Sequence, residues 1–132
     1  MTNWAQVLAT DLATRFEGVD VFSNVDPARE WVGKTTIEVN VNAIERVNLI
    51  SAGAFVDNQI VVACRALTYD VAAALTVELK DAIAELITSY KLANTINDGV
   101  ITGSEVTPDI RGITEGASFY GVVNLTITTK EI

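Results

Sequence analysis

Residues 68–92, with the sequence TYDVAAALTVELKDAIAELITSYKL, decide the fold of this chain. Their apolar side chains recur every three or four residues, which is the spacing of one face of an α-helix. The apolar stripe consists of Val71, Leu75, Leu79, Ile83, Leu86 and Tyr90. Thr68 or Asp70 can cap the first turn. A helix over 71–92 extends about 33 Å at about 1.5 Å per residue, which is long enough to cross a whole sheet.

Strands are predicted on both sides of this helix. Residues 35–41 alternate between apolar and polar side chains, and the less regular continuation to residue 49 indicates a bulge. Residues 59–67 read as a further strand, and 118–129 as a closing strand rich in threonine. A short extended piece around 19–25 and a modest strand over 100–106, stopped by Pro108, complete the set.

A shorter helix is expected at the start of the chain. Trp4, Leu8, Leu12 and Phe16 repeat every four residues, Thr2 or Asn3 can cap the first turn, and Gly18 supplies the stop signal. The order of elements therefore predicts an α+β fold in a single domain spanning residues 1–132. We expect a mostly antiparallel sheet of about four or five strands, one long helix packed across it, and the short N-terminal helix at an edge or end.

Composition excludes several classes of function. The formal net charge is −8, and the arginines are scattered in sequence, so specific binding to nucleic acid is not expected. The longest apolar runs fall far short of the roughly 18 residues that a membrane span needs. The N-terminal stretch lacks the positive lead of a secretory signal, and a single cysteine fits a cytosolic setting.

Few residues suit catalysis or metal binding. The chain has no histidine, so Cys64 lacks a neighbouring general base and is interpreted as a packed side chain. Glu78, Asp81 and Glu85 have helical spacing and are interpreted as a solvated helix face. No zinc, calcium or phosphate-loop pattern is present in the sequence, and neither a cofactor nor an enzymatic activity is expected.

Two segments are predicted to be exposed loops that contact partners. Residues 51–58 contain Phe55 and Val56, a bulky apolar pair that either marks a contact or packs inward, followed by Asp57 at a turn signal. Residues 107–116 are polar, and Arg111, flanked by Asp109 and Glu115, is either a charge anchor for docking or a solvated loop arginine.

The full order of elements resembles the tail terminator or tail-completion proteins of long-tailed bacteriophages. The resemblance rests on the leading helix over 4–16, the paired strands over 35–49 and 59–67, the residues 68–70 that lead into the long helix, and the closing strand over 118–129. The loop over 107–116 departs from that pattern. Proteins of this family assemble into rings, and the resemblance therefore does not extend to the contacts that this loop would make at the faces of such a ring.

The resemblance implies a structural virion subunit. Such a protein forms a ring, expected to be hexameric, at the head-proximal end of the tail tube and joins the tube to the neck. Its partners would be copies of itself, the tail tube protein and neck or connector proteins, and DNA would pass through the ring. The protein would lie in the virion tail or neck after assembly in the host cytoplasm. Two alternatives stay open, namely a small binding module with a cleft between helix and sheet, and an enzyme with a carboxylate pair.

Overall fold

The described part of the chain forms two helices and six strands. The structure is a computed structural model that describes residues 3–23, 33–49, 53–93, 101–103, 106–113 and 118–131. In chain order the elements are α1 (Trp4–Arg15), β1 (Asp20–Ser23), β2 (Thr36–Leu49), β3 (Gly53–Ala66), α2 (Tyr69–Ala93), β4 (Ile101–Gly103), β5 (Val106–Ile113) and β6 (Ser118–Glu131). The α+β class predicted from the sequence is confirmed.

The strands form one mixed sheet in the order β1-β2-β3-β6, with β4 and β5 both paired to β6. β1 runs parallel to β2, whereas the other pairings are antiparallel. The prediction of a mostly antiparallel sheet of four or five strands is therefore corrected to a mixed sheet of six. The long connection between β1 and β2 makes the parallel pairing possible, because parallel neighbours need a crossover rather than a tight hairpin.

Both helices begin at polar caps. The side-chain oxygen of Asn3 accepts a hydrogen bond from the backbone N–H of Gln6 at 3.2 Å, and Thr68 Oγ1 accepts from the N–H of Val71 at 3.3 Å. Each contact satisfies a backbone donor that the first turn of a helix leaves free. Gly18, with φ of 81°, lies just beyond α1 in a left-handed conformation that glycine adopts without strain.

The two helices pack on the same side of the sheet, here called the inner face. Their buried side chains form one apolar cluster with alternate residues of β2, β3 and β6. The strand residues of that cluster are Ile37, Val39, Ile60, Val62, Cys64, Val123, Leu125 and Ile127. Leu8 and Leu12 of α1 and Leu79 and Ile83 of α2 are fully buried against them, as the helical stripes predicted. Burial of these side chains is the main stabilising contribution to the fold.

The predicted loop over 51–58 is wrong, because β3 begins at Gly53 and pairs with β6 from Ala54 onward. Asp57 and Asn58 resemble a turn in sequence, yet both are satisfied across strands. Asn58 Nδ2 donates to the carbonyl oxygen of Ile127 at 3.2 Å, and Asp57 Oδ1 accepts from Thr128 Oγ1 at 2.7 Å. Tertiary pairing has overridden the local turn preference.

The predicted loop over 107–116 is also wrong for most of its length. β5 covers Val106–Ile113 and pairs with β6 at each of its residues, including Pro108 opposite Val123. Proline donates no backbone hydrogen bond, so it is tolerated in a strand at the edge of a sheet. β4 and β5 follow one another along that same edge of β6.

Gly121 of β6 lets α2 approach the sheet unusually closely. A Cβ atom built at this position would lie 1.5 Å from Thr76 Oγ1 and 2.9 Å from Cys64 Sγ. Thr76 Oγ1 donates to the carbonyl oxygen of Ala72 at 2.6 Å and lies 3.3 Å from Cys64 Sγ. Ala72, Thr76 and Cys64 are all buried. A small residue is therefore required opposite Cys64.

Three side-chain contacts join the two helices. Tyr90 Oη donates a hydrogen bond to Asp11 Oδ2, and the ring of Tyr90 lies 5.6 Å from that of Trp4. Arg15 forms an ion pair with Glu85 at the surface. Burial, followed by the hydrogen bond to Asp11, raises the pKa of Tyr90 above its ordinary value of 10.0.

We predict that Gly121→Ala lowers the free energy of unfolding by about 3 kcal/mol, because the added methyl group overpacks a filled site. Chemical denaturation measures the change. Asn124→Ala, on the opposite face of the same strand, is the control and should stay within about 0.5 kcal/mol of wild type. Thr76→Ala in the Gly121→Ala background should recover part of the loss. A Gly121→Ala protein as stable as wild type contradicts the close approach.

We also predict a loss of stability in alkaline solution that depends on Tyr90. Because the pKa of Tyr90 is raised in the folded protein, the contribution of Tyr90 to stability is complete below about pH 10 and declines as the pH rises beyond it. The decline is at most about 1.4 kcal/mol per pH unit. Denaturation at about pH 9 and about pH 11 should show a smaller decline for Tyr90→Phe than for wild type. Tyr69→Phe, at an exposed position, serves as the control. Equal declines in all three proteins contradict the assignment.

Candidate functional site

The structure separates the four described residues among the five predicted to dock partners. Phe55, Val56 and Asp57 lie in β3 rather than in a loop tip. Val56 is buried, with 1% of its surface exposed, so it cannot belong to a docking pair as predicted. Asp57 is half-buried and bonded to Thr128. Phe55 pairs in register with Val47 and Lys130.

Arg111 lies elsewhere on the sheet, in β5, where it pairs in register with Tyr120. Tyr120 belongs to β6, and Asp57 pairs with Thr128 further along that strand. Measured along β6 at about 3.4 Å per residue, the two predicted docking sites are about 27 Å apart. They therefore cannot act as one compact site. Glu115 lies outside the described residues. A docking role for Phe55, Asp57, Arg111 and Glu115 stays a prediction.

The side of the sheet opposite the helices, here called the outer face, is a broad polar surface on which neither helix packs. It carries Asp20, Phe22, Glu38, Asn40, Asn42, Ala43, Glu45, Asp57, Gln59, Val61, Ala63, Arg65, Tyr120, Val122, Asn124, Thr126 and Thr128. Most of these side chains are amides, hydroxyls or small aliphatics. A depression forms beside the register shift of β2 and is lined in part by Asn42, Gln59 and Asn124.

One end of the outer face combines an arginine with an aromatic ring. Thr36, Arg65 and Tyr120 occupy one cross-strand row, and the guanidinium carbon of Arg65 lies 4.9 Å from the centre of the Tyr120 ring. This is cation–π geometry, which fixes the position of the charge. Ala63 and Val122, the next cross-strand pair on this face, are half-buried and apolar. Arginine and tyrosine beside an apolar strip form a surface typical of protein interfaces.

A second surface lies at the N-terminal half of α2 and the turn before it. Its apolar side chains are Leu67, Tyr69, Val71 and Val77, which are 59%, 55%, 47% and 58% exposed. We call these four residues the α2 patch. The centres of the Tyr69 and Phe119 rings lie 6.0 Å apart, and the two rings are nearly perpendicular. This contact restricts the movement of the Tyr69 side chain at the surface. Helical spacing turns Tyr69, Val71 and Val77 to different sides of α2, so these exposed apolar side chains are spread around one segment rather than gathered in one contiguous area.

The sequence pattern missed the α2 patch because Val71 was assigned to the core stripe. In the structure Ala72 and Thr76 point at the sheet in its place, since Gly121 draws the first turns of α2 close to β6. Val77 stands among the charged residues of the opposite side. A valine next to Glu78 and off the stripe is the signal that sequence reasoning could have used.

Charged side chains surround the α2 patch. Asp70, Glu78, Lys80 and Asp81 are exposed on the same helix, and Glu85 lies one turn further along. On the outer face the described charged side chains are Asp20, Glu38, Glu45, Asp57 and Arg65. Both sides of the sheet therefore carry more negative than positive described charge.

Cys64 is a core residue in the structure, which confirms its interpretation as a packed side chain. It is fully buried, and this burial raises the pKa of its thiol. A protonated thiol is a poor nucleophile. Among the described residues, no group of three or more His, Cys, Asp or Glu side chains is placed to hold a metal ion. Within those same residues, no helix is long and apolar enough to cross a membrane.

Similarity to known proteins lies in the fold rather than in the sequence. No protein-family model matches the chain, and no curated protein sequence matches it. One solved structure that it resembles is a chain from the virion of a native gene transfer agent (GTA) particle, with a TM-score of 0.53. The likeness covers 94% of this chain and 84% of that one at 13% sequence identity. The two chains therefore share a fold over almost their full lengths.

We predict that Val77→Ser leaves the free energy of unfolding within about 0.5 kcal/mol of wild type, because the side chain is exposed. Leu79→Ala, two residues away but fully buried, should cost about 2–5 kcal/mol through lost burial and a residual cavity. Urea denaturation of both variants tests the assignment of the helix faces. A large loss for Val77→Ser would mean that Val77 packs in the core of the isolated chain.

Proposed function

We propose that this protein is a structural virion subunit that closes the head-proximal end of a phage-like tail as a ring and joins the tail to the neck. One observation carries the proposal, namely the fold shared with a chain of a gene transfer agent virion over 94% of this protein. The resemblance of the order of elements to tail terminators supports the same function. Its partners are copies of itself, the tail tube protein and neck or connector proteins.

The surfaces of the molecule suit an assembly protein. The α2 patch is apolar and exposed, and the outer face is polar and broad. The two lie on different sides of the sheet, so one subunit can contact two neighbours at once. A head-to-tail contact of this kind forms a ring when its rotation closes. We propose six subunits, location in the tail or neck of the virion, and assembly in the host cytoplasm.

The proposed function involves no catalysis and no cofactor. A ring through which DNA passes must not retain it, and a net charge of −8 opposes the binding of phosphates. The alternative of a binding module with a cleft between α2 and the sheet is less well supported. Leu79 and Ile83 fill that space in the described residues, and Thr76 is in close contact with Gly121. The carboxylate-pair enzyme has no supporting observation among the described contacts.

We predict that the purified chain assembles into a ring of six, alone or on isolated tail tubes, because its exposed apolar side chains gain burial on association. Multi-angle light scattering measures the mass in solution, and electron microscopy of tubes mixed with the protein shows whether a ring caps one end. Tubes without added protein are the control. A chain that stays monomeric at high concentration and also leaves tube ends bare contradicts the proposal.

A further inference from the structure

We propose that the outer face of the sheet binds an extended basic segment of another protein across the depression beside the bulge of β2. The inference goes beyond the proposed ring, because this partner is not a second copy of the chain and every residue of the site belongs to one subunit. Two observations support it within the described residues. The depression holds amide and hydroxyl side chains without partners, and carboxylates that form no ion pair lie toward both of its ends.

The depression lies over the middle strands of the sheet. Gln59 of β3 pairs in register with Thr126 of β6, and Val61 pairs with Asn124. The register of β2 shifts beside them, and Asn42 contributes to the lining from that strand. The space has a volume of about 350 Å³, which lies within the range of ligand pockets, and it is open to the outer face. It can therefore hold side chains or a short stretch of backbone laid across it.

The polar groups of the depression are available for binding. Within the part of the chain that the structure describes, the side chains of Asn42, Gln59, Asn124 and Thr126 make no hydrogen bond. Asn58, on the inner face, differs, because its amide is buried and donates to a backbone carbonyl of β6. An amide side chain carries an acceptor and two donor hydrogens, which are the groups that a peptide unit also offers. Three amides held on adjacent strands can therefore bind the N–H and C=O groups of an extended segment.

Charge determines which segment fits. Glu38 and Glu45 lie on the outer face toward opposite ends of the depression, and neither forms an ion pair within the described residues. Together with Asp20 and Asp57, they give the described part of this face four carboxylates against the one guanidinium of Arg65. Complementary charge across an interface favours the matching partner and penalises others. A basic segment therefore gains at this place, whereas nucleic acid or a second copy with its net charge of −8 loses.

The positions of the two carboxylates set the spacing of basic residues in the partner. Glu38 pairs with Ala63 and Glu45 pairs with Asp57, so the two lie six residues apart along β3, which is about 20 Å at about 3.4 Å per residue. An extended segment spans this length with the same number of residues. Because alternate residues of an extended segment point to the same side, side chains six positions apart both face the sheet. We therefore expect lysine or arginine at positions i and i+6, with neutral polar residues over the amides.

The probe is a synthetic peptide, blocked at both ends, with lysine at its first and seventh positions and serine between them. It should bind the wild-type chain, and its affinity should fall as salt is added, because the attraction is electrostatic. Glu38→Gln and Glu45→Gln should each weaken binding by about threefold, and the double variant by about tenfold. Gln59→Met, which keeps the length of the side chain and removes the amide, should also weaken binding by about threefold. Titration followed by NMR measures the affinities, and the side-chain amide signals of Asn42 and Asn124 should move as peptide is added.

Two matched controls separate the site from a general attraction of cations. Glu78→Gln makes the same charge change as Glu38→Gln at an exposed site on α2, and it should leave the affinity unchanged. A peptide of the same composition with its lysines at the first and fourth positions directs the two charges to opposite sides, so it should bind about threefold more weakly than the probe. Circular dichroism and thermal unfolding check that each variant folds.

Equal binding of the two peptides, or equal losses from Glu38→Gln and Glu78→Gln, would show an attraction of cations only and would overturn the site. Weaker binding in the carboxylate variants with no change in Gln59→Met would overturn the role of the amides and the site with it. A wild-type chain that does not bind the probe at low salt would overturn the inference outright. Each of these results leaves the proposed function in place, because the mass of the assembly and the capping of tail tubes test the ring separately.

Discussion

The close contact between α2 and the centre of the sheet is the constraint on which the rest of this structure depends. Gly121 has no side chain, so Thr76 and Ala72 can descend onto Cys64 and the backbone of β6. The Thr76 hydroxyl is satisfied within its own helix by the carbonyl of Ala72, which removes the cost of burying it. This one contact fixes the depth of the helix and its rotation about its own axis. The rotation in turn decides which residues face the core and which face the solvent.

That rotation connects the core to the surface. With Ala72 and Thr76 turned inward, Val71 and Val77 are left exposed together with Tyr69 and its acidic neighbours. The exposed apolar side chains are therefore a consequence of packing rather than a random excess. A methyl group at position 121 would alter both the stability of the domain and the surface that the helix presents, because the same rotation controls the two.

The sequence predicted the elements whose signals are local and periodic. The stripe from Leu75 to Tyr90, the cap at Asn3 and the alternation of β2 all depend on neighbours within one or two turns. It failed where pairing with a distant strand supplies the missing partners, as for Asp57 and Asn58, which bond to β6 about seventy residues away. The prediction that Val56 is exposed was also wrong. Val56 is bulky and follows a small-residue stretch, but only the packing around β3 determines that it is buried.

The exposed face of a helix and the outer face of a sheet differ in the kind of specificity that they can provide. Apolar side chains on α2 contribute affinity without direction, and they would pair with many surfaces. Arg65, held by Tyr120, adds a direction because its planar group binds a carboxylate in few orientations. A subunit that meets its own copies at a fixed angle, as proposed for this protein, needs both contributions. The outer face also carries the described carboxylates of Asp20, Glu38, Glu45 and Asp57, so a neighbour's position on that face, rather than net attraction between copies, determines whether it gains from Arg65.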